Sequence, residues 1–340
     1  MSRRATPVPR TRRGRLALAL TPALLAVGAC SDGDGAGSSP SQTSTSAPSV
    51  SESTEPAPEP APDPDPDPVS PDDLDRSTAV AAVGRLAGTI GSREATSPGF
   101  REAAAWVSRR LTALGYDVSR QRVDVPAGVS WQRAPLAAGR SANVVAVPPG
   151  LDPTEPHLVV GAHLDTVSGA PGAEDNASGV GVLLAVAEAL AERRTRLPVV
   201  LVAFGAEEPR GAGDALHHFG STQYVASLTP AERRAVRGMV SLDRVGVGAV
   251  VPVGSASETS DPVQRALLAA ARRAGVPTVA EAEEKSSDHW SFVKAGLPAA
   301  RLGSTPYGGY HSAGDVPAVV APAQLERVGR IVLAWLAPRR

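Results

Sequence analysis

The chain has 340 residues, with 34 Lys and Arg against 35 Asp and Glu, a formal net charge of −1 and only two lysines. So even a balance excludes a basic nucleic-acid-binding surface, and no nucleic-acid partner is expected. A single cysteine excludes an intramolecular disulfide framework, so the fold must rest on a hydrophobic core.

In chain order, the first 29 residues hold six arginines and no acid, then the apolar run LALALTPALLAVGA before Cys30. A basic start, a short apolar stretch and small residues before a cleavage point predict a signal peptide over 1–29, too short to span a membrane. Val27-Gly28-Ala29-Cys30 resembles a bacterial lipobox. That predicts an exported protein anchored to the outer face of the cell membrane by a lipid on Cys30, with plain secretion as the alternative. TRRGRL at 11–16 also resembles a twin-arginine signal, which would mean export already folded.

Residues 30–76 are rich in Ser, Thr and Gly and then in Pro and Asp, including DPDPDPDP. Such a segment has little to bury, so it is expected to be an extended, disordered stalk. Residues 77–340 remain as one domain, long enough for a single large core and expected to be a monomer.

Helical periodicity covers 78–91 and 98–114; in the second, Ala104, Val107, Leu111 and Leu114 share a face and Gly115 is a C-cap candidate. Strand-like runs follow at 116–125, 143–148 and 157–162, then a helix at about 175–193 and strands at 198–204 and 238–242. A helix at 262–274, a short strand near 297–302 and a helix at 321–337 complete the pattern. Strands alternating with helices predict an α/β fold, a three-layer α/β/α sandwich around a mixed, mostly parallel twisted sheet.

Ligand-type residues gather at the ends of these runs. PVVLVAFGAEE ends on Glu207 and Glu208, beyond the C-terminal end of a buried strand, where open α/β sheets bind ligands. Adjacent acids there need a positive partner. A metal would supply it, with one carboxylate as ligand and its neighbour as general base; an isolated pair could equally be a solvated turn. LVVGAHLDT places His163 and Asp165 after a strand, and Asp165 is better cast as the carboxylate that orients a ligating His163. GAEDNASG puts Asp175 at a helix mouth, where capping is the plainer role. GMVSLD ends on Asp243, and GGYHSAGD holds Tyr310, His311 and Asp315.

The series HLD, AEDNASG, GAEE, SLD, SDHWSF and YHSAGD resembles the di-zinc aminopeptidase family of clan MH, over about residues 82–337. The resemblance implies a zinc exopeptidase of the phosphorylase/hydrolase-like fold, acting on peptides with a free N-terminus. It implies two Zn²⁺ per chain: His163 and Asp243 hold one, Glu208 and His311 the other, and Asp175 bridges them. Glu207 would be the general base, Tyr310 would lie beside the scissile carbonyl, and the Asp175–Asn176 peptide would be cis. Such N/O ligation suits zinc, and a paired site activates water and polarises a peptide carbonyl. A related zinc carboxypeptidase, a single-zinc glutaminyl cyclase and a non-catalytic surface binding protein share the fold as alternatives.

Two departures stand out. PRGAGDALHHFGSTQYV follows GAEE where relatives have a shorter turn, and His217 and His218 are expected in a solvated loop. Arg244 follows Asp243 where relatives more often carry an apolar residue. It could recognise an acidic group on a substrate or face outward in an ion pair. His289 is expected to make structural hydrogen bonds, and Trp106, Trp131, Trp290 and Trp335 to line the core or a cleft.

Overall fold

The computed structural model describes residues 65–259, 261–303 and 305–338. The expected signal peptide, Cys30 and the first part of the stalk lie outside the described residues. The strands are β1 (Asp117–Val125), β2 (Gly128–Val129), β3 (Pro135–Leu136), β4 (Gly139–Val147), β5 (His157–His163), β6 (Val199–Phe204), β7 (Val236–Leu242), β8 (Val251–Gly254), β9 (Thr278–Glu281) and β10 (Ala299–Leu302). The α-helices are α1 (Arg76–Val83), α2 (Pro98–Ala113), α3 (Ser178–Leu190), α4 (Phe219–Ser227), α5 (Pro230–Ala235), α6 (Pro262–Ala274), α7 (His289–Lys294) and α8 (Pro322–Leu336).

Eight strands form one sheet in the order β1-β4-β6-β5-β7-β10-β8-β9. β6, β5, β7 and β10 run parallel at its centre, β4 and β8 pair antiparallel with the two sides of that group, and outside them β1 is antiparallel to β4 and β9 parallel to β8. This is the mixed three-layer α/β fold that the alternation of elements predicts.

Period-two alternation divides each central strand between two cores. On β6, Val199, Leu201 and Ala203 join the larger core with α1, α2, α3, α6 and α8. Val200, Val202 and Phe204 face the other way, against Tyr224 of α4 and Phe292 of α7. Every residue of β5 and β6 is buried, which explains why they read as unbroken apolar runs.

The end of the expected stalk is corrected. Val69 is buried, its N–H donates to Arg194 O at 3.0 Å, and Arg194 N–H donates to Asp67 O at 2.9 Å. Ser70 and Asp73 close a capping box around a short 3₁₀ turn. Apolar Val69 and Leu74, the latter packed against the larger core, dock the segment from 67 onward before α1 begins. Composition counted the prolines and acids there and overlooked those two anchors.

Strands β8 and β9 and helices α4, α5 and α7 have no counterpart in the sequence reading. They are four to nine residues long, too short for one periodicity to outweigh another.

Candidate metal centre

The parallel strands β5, β6 and β7 end side by side, and each ends on chemistry. His163 is the last residue of β5; Glu207 and Glu208 follow β6; Asp243 follows β7. Two loops complete the ring: the turn before α3 brings Asp175, and the loop between β10 and α8 brings His311. All six side chains are buried.

Asp175 stands between the two histidines. Its Oδ1 is 3.1 Å from His163 Nε2 and its Oδ2 is 3.1 Å from His311 Nε2. On the first side Asp243 Oδ1 lies 3.5 Å from His163 Nε2, and on the second Glu208 Oε2 lies 3.1 Å from His311 Nε2. Glu207 faces the first side, its Oε2 3.9 Å from His163 Nε2. Ligand atoms of His163, Asp175 and Glu208 all fall within 4.8 Å of one another, close enough to share an ion. Asp243 Oδ1 is buried without a hydrogen-bond partner, an orphaned acceptor that a cation would satisfy. The donor set is nitrogen and carboxylate oxygen, which fits zinc.

Charge crowding argues the same way. Burial, reinforced by Asp243, Asp165 and Asp175 and opposed by His163, pushes Glu207 up to about 8. Burial and Asp175 push Glu208 up to about 8 against the pull of His311. Burial would raise Asp175, but His163 and His311 hold it below the ordinary carboxylate value. Burial would lower His311, yet Asp175 and Glu208 raise it to about 10. Without metal, the cluster must hold protons in place of cations.

Asp175 does not cap α3, whose N-cap is Ala177 with no side-chain bond, so its carboxylate is free for the centre. The Asp175–Asn176 peptide is cis. The turn is held by Asp315, which accepts the N–H of Glu174 at 2.7 Å and of Asp175 at 3.0 Å and the hydroxyl of Tyr307 at 2.9 Å. Asn176 ties it to β7, donating to Leu242 O at 2.8 Å and accepting from Arg244 N–H at 3.2 Å.

Asp165 works differently from the sequence expectation. Its carboxylate accepts the N–H of Glu207 at 3.0 Å and of Glu208 at 3.1 Å. The ring of His163 is instead oriented by the carbonyl of Asp165, 3.2 Å from Nδ1, with the carboxylate at 3.8 Å. Asp165 therefore clasps the Glu207–Glu208 turn, where Ala206 is left-handed at φ 58° and two fresh N–H groups need an acceptor.

His218 is the second correction. It is 3% exposed, and its Nε2 lies 3.1 Å from Glu207 Oε1. The insertion doubles back so that His218 N–H donates to Glu207 O at 2.9 Å. His217 is half-buried beside it.

Arg244 turns inward. Its guanidinium sits over the Tyr310 ring, 4.7 Å from the centroid, and Nε is 3.7 Å from Asp243 Oδ1. Tyr310 stacks on His311 at 3.8 Å, and Trp131 meets both rings edge-on, at 6.0 and 4.6 Å. Trp131 is 54% exposed, a cleft-wall residue rather than core. His289 Nε2 is 2.8 Å from Glu284 O, a structural contact.

Several supporting residues escape sequence reading. Arg301, 1% exposed within β10, reaches Asp243 Oδ2 at 3.2 Å and Glu284 at 3.3 Å. Arg93, fully buried, donates to the carbonyls of Leu164, Pro171 and Gly172 around the His163 and Asp175 loops. Glu174 accepts from the N–H of Gly246 and Val247 and fixes the chain after Asp243. Asp288 is buried with no hydrogen-bond partner on either oxygen, and burial together with Glu207 pushes it up to about 7. An arginine inside the otherwise apolar AARL was the one usable signal among these.

Comparison with known proteins places this geometry in context. The family model described as Peptidase family M28 matches residues 143–336. Leupeptin-inactivating enzyme 1 of Streptomyces exfoliatus is 27% identical over 263 residues, 75% of this chain and 53% of that protein. Aminopeptidase YwaD of Bacillus subtilis is 28% identical over 207 residues, 57% of this chain and 44% of its own. The chain thus spans about half the length of these curated relatives. Among solved structures, the Bacillus subtilis zinc aminopeptidase BSAP superposes with a TM-score of 0.68 at 18% identity, covering 77% of this chain and 94% of that one. Porphyromonas gingivalis glutaminyl cyclase superposes with a TM-score of 0.65 at 22% identity, covering 77% and 97%. At these identities the two superpositions establish the fold.

Proposed function

The chain belongs to Peptidase family M28, and from that premise we propose that it is a di-zinc aminopeptidase removing N-terminal residues from peptides. The observation that carries this reading is the two-sided carboxylate of Asp175, which faces His163 with one oxygen and His311 with the other, each at 3.1 Å. His163 and Asp243 would hold one zinc, Glu208 and His311 the second, and Asp175 both. When bound, the pair would supply electrophilic pull on the scissile carbonyl and make a water acidic enough to attack.

The chain's own residues do the rest. Glu207 takes the proton of the attacking water and delivers it to the leaving amine. Asp165 fixes the backbone of Glu207 and Glu208, and His218 Nε2 stands 3.1 Å from Glu207 Oε1. Tyr310 stands beside His311 with its hydroxyl available to the carbonyl oxygen. Asp315 and Asn176 hold the Asp175 turn in place. The relation to cyclases is met by content: all of His163, Asp175, Glu208, Asp243 and His311 are kept and converge, enough donors for two ions.

Export and anchoring through a lipid on Cys30 belong to the same proposal. They are supported by the basic start, the apolar run and the Val27–Cys30 pattern. Metabolic labelling with palmitate followed by cell fractionation tests them; an unlabelled cytosolic protein would refute them.

The activity is tested by amino-acid release from unblocked and N-acetylated peptides, wild type beside Glu207→Ala. Release from the unblocked peptide alone, lost in the zinc-loaded variant, is expected. Release from the C-terminus of the blocked peptide would make it a carboxypeptidase. Ring closure of an N-terminal glutamine would make it a cyclase.

A further inference from the structure

Arg244 has only one loose ion contact within the described residues, to Asp243. The nearest carboxylate, Asp243, already has a counter-charge in Arg301, whose guanidinium lies 3.2 Å from Asp243 Oδ2 and is 1% exposed. Asp243 Oδ1 points instead toward His163 Nε2 at 3.5 Å, into the metal centre. Arg244 approaches that oxygen only with Nε, at 3.7 Å, and among the described residues its guanidinium donates no hydrogen bond. Yet the side chain is only 16% exposed. A guanidinium that is largely out of water with its donors unspent is costly unless something fills them.

The backbone supports the same placement. Arg244 adopts φ 55°, a left-handed conformation disfavoured for a residue that carries a Cβ and ordinarily left to Gly or Asn. Its N–H is pinned by Asn176 and the following residues by Ser178 and Glu174, so the side chain is directed onto the Tyr310 ring. Tyr310 is 39% exposed and Trp131 54%, so the Arg244–Tyr310 face lies at the open rim of the centre.

Charge completes the argument. Asp243 is shared between Arg301, 3.2 Å from its Oδ2, and the two-ion centre that the proposed function assigns it to. A loaded centre would leave Arg244 without an anion at its guanidinium.

We infer that Arg244 is a specificity residue that receives a carboxylate of the substrate beside Tyr310. This deepens the aminopeptidase reading and rests on it for the word substrate. The carboxylate has two possible sources, the side chain of an N-terminal Glu or Asp, or the free C-terminus of a dipeptide. Guanidinium and carboxylate pair in a planar, two-bond fork, which an amide cannot match.

The test compares Glu-Ala-Ala-amide with Gln-Ala-Ala-amide, and Leu-Ala with Leu-Ala-amide, on wild type, Arg244→Met and Arg244→Lys. Ratios of kcat/KM taken within one preparation cancel any loss of folded enzyme. Binding of the same peptides to zinc-loaded Glu207→Ala, read by calorimetry, gives the preference without turnover. A preference of about tenfold for Glu over Gln, falling toward one in Arg244→Met and intermediate in Arg244→Lys, is expected for the side-chain source. The same behaviour confined to the dipeptide pair assigns the C-terminal source. No preference in either pair, or one that Arg244→Met leaves intact, overturns the inference. If wild type cleaves none of the peptides, the aminopeptidase reading fails, and the calorimetric preference alone decides whether Arg244 recognises a carboxylate.

Discussion

His218 Nε2 lies 3.1 Å from Oε1 of Glu207, while the other carboxylate oxygen of Glu207 faces His163. Neither ring nitrogen of His218 has an aligned hydrogen bond, and Asp214, itself held by Lys294 and Trp290, stands 3.9 Å from its Nδ1. The histidine therefore stands against Glu207 by position, at 3.1 Å. His218→Ala should lower kcat by about ten- to a hundredfold with KM little changed, and His218→Gln should recover part of it. Steady-state kinetics at matched zinc content checks this; equal losses in kcat and zinc would assign His218 to stability alone.

Asp165 accepts two backbone N–H groups in a fully buried position. Asp165→Ala strands both donors and should destabilise the domain by about 2–4 kcal/mol, whereas Asp165→Asn keeps one acceptor and should lose roughly half as much. Urea unfolding of the metal-free proteins measures the difference. A neutral alanine variant would show that the turn finds other partners.

Arg301 answers the Asp243 charge from behind. Arg301→Met leaves Asp243 and Glu284 without their common cation and should cost about 3–5 kcal/mol. Through Asp243 it should weaken only one of the two zinc positions proposed above. Competition with a chelator reads this as two separated affinities in the variant.

The pH dependence of the metal-free protein has a definite sign. Glu207, Glu208 and Glu174 are each pushed up to about 8 by burial, so the folded state keeps protons that the unfolded chain releases near 4.5. Their stability contribution is present below about 4.5 and is lost as pH rises through about 8. His311, raised to about 10, acts in the same direction. The metal-free protein should melt at progressively lower temperature from pH 5 to pH 8, and zinc should reverse the trend while releasing protons. Thermal melts with and without chelator at each pH test it; a metal-free protein that gains stability toward pH 8 would contradict it.

Most of the sheet order's ingredients were legible because β5, β6 and β7 are buried on both faces and read as valine-rich runs ending on acids and His163. His163, Glu207, Glu208 and Asp243 were legible because they stand at or just past the ends of such strands; Asp175 and His311 lie in loops, and the roles of all six came from the resemblance to the di-zinc family. What was illegible is what acts across distance. That Asp165 serves the Glu207–Glu208 backbone depends on two strands lying adjacent, as does the reach of Arg301 on β10 to Asp243 after β7. His218 looked like half of a polar surface pair because the path of the insertion is set by contacts with Glu207 and Ala206, not by its own composition. The docking of residues 67–74 was hidden because two apolar side chains sit among prolines and acids.

The central claim is that Asp175, flanked at 3.1 Å by His163 and by His311, builds one centre for two ions. Zinc content of the purified domain after dialysis, measured by mass spectrometry beside Asp175→Ala, tests it most directly. Two zinc ions per chain in the wild type, with both weakened together in the variant, is the predicted result. One zinc per chain, or a variant that loses a single ion and keeps the other at full affinity, would contradict it.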